Sequence, residues 1–111
     1  MRTTLRRDLT EAIKARNRVA ISALRSALAA IENAEAPPMD DHPKEMMAAG
    51  AGSTEIERRH LTDADLYAIV ASEVEQRSAA ADQYDKLGRE DVAARLRAEA
   101  DVLRHHLTAA Q

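Results

Sequence analysis

Four histidines, several carboxylate–arginine pairs and a basic opening segment are the side chains of this sequence with types and spacings suited to chemistry. His42 and His60 stand apart from His105 and His106, and neighbouring residues on a helix point about 100° apart. The last two therefore cannot readily share one ion, and neither a metal nor any other cofactor is expected. Zero cysteines remove thiol catalysis, disulfide frameworks and cysteine-based zinc sites together. No nucleophile elbow, P-loop, dinucleotide fingerprint or zinc-protease signature occurs, so no catalytic residue can be assigned.

The charged residues offer less specific chemistry. Glu73 and Arg77 are four apart, the spacing of solvated pairs on a helix face that contribute a few tenths of a kcal/mol. A second reading gathers Glu73, Arg77, Arg89 and Glu99 into a buried polar cluster between the last two helices; the solvated reading is the favoured one. Residues 1–25 hold seven basic side chains against Asp8 and Glu11, a balance of +5, so residues 26–111 carry −8. Arg7, Lys14, Arg18 and Arg25 are the candidates for phosphate contact, with a solvated helix face as the plainer alternative. Tyr67 and Tyr84 are the only aromatics and read as core or boundary residues. The basic segment has no interleaved aromatics, so it lacks a stacking platform for single strands, and no DNA partner is expected.

These residues must be positioned by helices. Of 111 residues, 24 are Ala and only 20 are Leu, Ile or Val, a thin supply of large aliphatics. A net charge of only −3 argues against charge-driven disorder. All three prolines and two of the three glycines fall between residues 37 and 52, so 37–61 reads as a linker, docked or mobile. Apolar stripes at helical spacing run through Leu5, Leu9, Ala12 and Ile13, and through Ile21, Leu24, Leu28 and Ile31. Beside the second stripe, Ala20, Ala23, Ala27, Ala30 and Ala34 would let helix axes approach closely. Neither Gly nor Pro divides residues 4–35, which leaves one helix or two open. Arg16-Asn17-Arg18 is the only local candidate for a break, with Asn17 able to take the left-handed cap conformation.

Past the linker, Thr62 and Asp65 resemble a capping box ahead of a buried face of Leu66, Ile69, Val70, Val74 and Tyr84. Gly88 is a stop signal, and Glu90 and Asp91 suit the first turn of a further helix striped by Val92, Leu96, Ala100, Leu103 and Leu107. The expectation is an all-α four-helix bundle with helices at about 2–16, 18–35, 62–87 and 89–107, forming one domain over 1–111. No window approaches the 18 apolar residues of a membrane span, and MRTTLRRDLTEAIKAR carries charges where a signal peptide has its apolar stretch. A cytoplasmic location without membrane contact is expected.

The opening block reads Arg6-x-x-Leu9-x-x-Ala12-x-Lys14-Ala15-Arg16, then Arg18-x-x-x-Ser22-Ala23-Leu24-Arg25-Ser26-x-Leu28, and closes with Ile31-Glu32-Asn33-Ala34-Glu35. After the linker come Glu73-x-x-x-Arg77, Gly88-Arg89-Glu90-Asp91-Val92 and Ala98-Glu99-x-x-Val102-Leu103. Over residues 2–35 and 62–107 this resembles the N-terminal helical bundle of the GatB/YqeY family. That family comprises small bacterial proteins and the C-terminal region of GatB, a component of the tRNA-dependent glutamine amidotransferase. The resemblance implies a helical bundle followed in the full family by a three-helix tail that helps hold tRNA. Here His106-Leu107-Thr108 stands where the family reads Leu-Pro, and the sequence stops at Gln111, so the tail is expected to be absent. The 37–61 linker is also longer than in typical short members.

Several expectations follow from the resemblance. It marks Glu73, Arg77, Arg89, Glu90, Asp91 and Glu99 as the family-motif polar residues. It implies a non-catalytic accessory of tRNA-dependent amidation, or of another tRNA process, whose partner is tRNA or a tRNA-handling enzyme. It also brings a family-level link to carbon–nitrogen ligase activity with glutamine as amide donor, for which no catalytic residues are seen. The alternative is a helical interaction module that binds a protein partner or a second copy, with no role in RNA.

Overall fold

A computed structural model of the chain describes residues 1–36 and 60–110. Its helices are α1 (Arg2–Ala15), α2 (Arg18–Glu35), α3 (Asp63–Lys86) and α4 (Glu90–Ala109), and no strand occurs among the described residues. The protein is all-α. Of the expected linker, residues 37–59 lie outside the described residues; His60 is exposed and Leu61 packs partly against the core.

The break between the first two helices falls in Arg16-Asn17-Arg18, but the left-handed residue is Arg16 (φ 57°), not Asn17. Asn17 is extended, and its side chain accepts a hydrogen bond from the Ala20 amide at 3.1 Å, capping α2. The Arg16 amide bonds the Ile13 carbonyl at 3.1 Å and the Asn17 amide bonds that of Ala12 at 2.9 Å. The α3–α4 turn repeats this pattern: Gly88 (φ 77°) bonds Asp85 at 3.0 Å and Arg89 bonds Tyr84 at 2.8 Å. Both are Schellman turns. One places glycine at the left-handed position, and the other places an arginine there at a cost of about 1 kcal/mol. At the start of α3, Thr62 and Asp65 form a reciprocal capping box at 3.1 and 2.9 Å.

α1 and α2 run antiparallel, with Arg2 at the start of one holding Glu35 at the end of the other at 2.9 Å. α3 and α4 form a second antiparallel hairpin, and α2 lies against all three other helices. Ala20, Ala23 and Ala27 of α2 are buried with Leu24 and Ile31, so small residues give it close access to its neighbours. Leu5, Leu24, Ile31, Val70 and Leu103 are the largest fully buried side chains; each contributes roughly 1.5–3 kcal/mol on leaving water.

Two stripes depart from the sequence expectation. Ile13 is exposed, because α1 packs at the rim of the assembly and buries only a narrow face around Leu5 and Ala12. Tyr84 is exposed too. All residues from Asp82 to Asp91 are exposed, and the buried residues of this part of the hairpin are Ala81 and Ala93. The α4 stripe accordingly turns there from Val92 and Leu96, both half-buried, to Ala93.

Candidate functional site

The hairpin and α2 bring three of the family-motif polar residues into one cluster. Glu73 sits on α3 one turn before Arg77, so both side chains share a face, and Glu99 of α4 comes opposite because the hairpin is antiparallel. Arg77 donates through Nη1 to Glu73 Oε1 at 3.0 Å and through Nε to Glu99 Oε1 at 3.1 Å. Its Nη1 also reaches the Glu73 carbonyl at 3.3 Å. Ser26 of α2 donates through Oγ to the same Glu73 oxygen at 2.6 Å. The side chains of Glu73, Arg77 and Glu99 are only 12, 12 and 8 % exposed.

The favoured sequence reading of solvated pairs is therefore wrong for Glu73 and Arg77. Their i, i+4 spacing is the same in either setting, and α2 and α4 supply the burial. Two carboxylates on one guanidinium leave a net negative charge, which low-dielectric surroundings tolerate only with complete hydrogen bonding. Among the described residues, no buried side-chain nitrogen or oxygen lacks a partner. Ser26, which stands in the α2 block that carries the family resemblance but not among its marked polar residues, belongs to this cluster as well.

Arg89, Glu90 and Asp91 are not part of the cluster. All three are exposed at the hairpin turn, where Arg89 stands 3.6 Å from Asp91. A second arginine on α4, Arg97, clasps Asp85 at 2.6 Å and Asp82 at 2.9 Å. The hydrogen bonds it donates to Asp85 first, and then to Asp82, raise its pKa further above neutrality.

Of the phosphate-contact candidates, Arg7 and Lys14 lie two turns apart on α1, and Arg18 and Arg25 two turns apart on α2. All four are exposed. Arg7 stands 3.6 Å from Asp8 and Lys14 3.7 Å from Glu11, both loose surface pairs, while Arg18 and Arg25 make no ion pair among the described residues.

The remaining titratable cluster joins α4 to α1. His106 is buried, its Nε2 is 3.0 Å from Asp8 Oδ2, and its Nδ1 is 3.4 Å from Thr4 Oγ1. Burial is the main cause that lowers its pKa; Asp8 opposes this, and His105 and the Met1 ammonium add to it. The His105 and His106 rings stand edge-on at 86° with centroids 6.2 Å apart. No group of three or more His, Asp or Glu among the described residues is placed to hold a metal ion. An open groove of 370 Å³ beside this cluster is lined by Asp8, Glu11, Ala20 and Val102 among others.

Fold and site define a small all-α protein whose principal polar cluster is closed upon itself between three helices. Its family is that of the Yqey-like proteins: their family model matches residues 2–110, and the chain belongs to that family, which is related to the C-terminal region of GatB. No curated protein and no solved structure matches the chain. No helix among the described residues is long and apolar enough to cross a membrane.

Proposed function

We propose that the protein is a non-catalytic accessory of a tRNA process, tRNA-dependent amidation being the one to which its family relationship points. The observation that carries this reading is the exposure of Arg7, Lys14, Arg18 and Arg25 on the first two helices, within a segment of net charge +5. Exposed guanidinium and ammonium groups contact phosphates without base specificity, which suits an auxiliary role. The Glu73–Arg77–Glu99 cluster supports the non-catalytic part, because its donors and acceptors are engaged with one another.

The test is tRNA binding against salt. If the four cations each neutralise one phosphate, affinity falls roughly 10²-fold between 50 and 200 mM salt, and Arg18→Gln with Arg25→Gln lowers the slope of log affinity against log salt by about 2. No binding at 50 mM salt would sink the RNA reading. That result would favour an interaction module, which has its own support in Leu87, 73 % exposed at the hairpin tip beside the exposed Tyr84.

A further inference from the structure

The last turn of α4 meets α1 at a buried imidazole, that of His106. The His106 side chain is 5 % exposed, and it reaches Asp8 through Nε2 at 3.0 Å. A carboxylate only accepts, so the ring proton sits on Nε2. Nδ1 then faces the Thr4 hydroxyl at 3.4 Å, but that hydroxyl already donates its one proton to the Met1 carbonyl at 2.8 Å. The neutral ring therefore has one strong bond and one weak contact. A second proton, on Nδ1, would find an acceptor in Thr4 Oγ1, so hydrogen bonding does not bar it.

Desolvation opposes it. The ring is enclosed where α4 meets α1, and a charged imidazolium there gives up its water. Asp8 is the one compensating charge in contact, and it is shared with Arg7 at 3.6 Å. His105 on α4 and the Met1 ammonium both oppose a positive ring. Glu11 of α1 lines the shared groove at greater exposure, and α2 contributes the uncharged Asn17 and Ala20. α3 presents Asp63 and Tyr67 to the neighbouring cavity at Met1 and Ala110.

We propose that His106 is a proton-operated clasp: its neutral ring fastens the end of α4 to α1, and uptake of a proton loosens α1 from the rest of the bundle. The sign follows from linkage. An imidazole released to water binds a proton more readily than the enclosed one, so acid favours the undocked helix. The clasp is fully engaged above the ordinary imidazole pKa of about 6.5 and weakens as pH falls below it. This inference does not depend on any role in RNA.

The experiment is residue-resolved hydrogen exchange on the whole chain at pH 7.5 and 5.5, corrected for intrinsic exchange rates. Protection at Leu9 and Ala12 of α1 should fall on acidification by more than twofold, and by no more than the roughly tenfold per pH unit that one proton allows. Protection at Val74 of α3 should stay within twofold, and His106→Gln, which keeps a donor toward Asp8 without titrating, should abolish the α1 response. Unchanged α1 protection, an equal loss at Val74, or an undiminished response in H106Q would each overturn the proposal. Should H106Q fail to fold, the ring titration of the unaltered protein by NMR decides independently. A His106 midpoint below 6.5 supports the clasp, and one at or above it refutes it.

Discussion

The α3–α4 hairpin carries two arginine–carboxylate groups of the same composition, each an arginine holding two acids, and they sit in opposite surroundings. Arg77 lies between Glu73 and Glu99 where α2 covers the hairpin, and Ser26 donates to the Glu73 oxygen that Arg77 also holds. Arg97 lies between Asp82 and Asp85 toward the tip, with its own side chain 46 % exposed. The distances are similar, 3.0 and 3.1 Å against 2.9 and 2.6 Å, so geometry does not separate them. Water does. Around Arg97 it screens the charges and can replace any lost partner, whereas around Arg77 each partner lost leaves a charge with little solvent to answer it. Short ion-pair distances alone are thus a poor guide to what a pair contributes.

That contrast can be broken at its strongest point first. Arg77→Ala leaves Glu73 and Glu99 facing each other without a cation, and urea unfolding should show a loss of about 3–5 kcal/mol. Ser26→Ala removes one charge-assisted hydrogen bond while Arg77 remains, and the same measurement should register about 1.5 kcal/mol. Arg97→Ala should change the unfolding midpoint least of the three, and 1 M salt should erase what difference there is while leaving the Arg77→Ala loss in place. An Arg97→Ala loss that matched that of Arg77→Ala and survived high salt would end the distinction.

How far each feature could be read beforehand follows the same division. The two Schellman turns show it for local structure. Gly88 announces one turn because glycine is the residue that tolerates a left-handed backbone without strain. The other is built on Arg16, which carries no such mark, so Asn17 drew the left-handed assignment although its side chain is instead the cap of α2. At the candidate site, a buried cluster of Glu73, Arg77 and Glu99 was the less favoured of two readings, and it was drawn with Arg89, which is exposed, and without Ser26. Periodicity also placed Tyr84 on a buried face, where the hairpin has no third helix to cover it.

Helix type, approximate limits and most caps are consequences of short stretches: apolar spacing, Thr62 with Asp65, Gly88 before Glu90 and Asp91. They are legible one segment at a time because hydrogen bonds along a helix, and those at its ends, are made within a few residues. Burial of a charge is not such a property. Glu73 and Arg77 would keep the same spacing on a lone helix in water, and only the arrival of Ser26 from α2 and Glu99 from α4 turned a surface pair into an enclosed cluster. His106 likewise became a buried partner of Asp8 when a residue 98 positions earlier in the chain was folded against it. Solvent is removed by neighbours distant in sequence, and solvent decides what a charge can do.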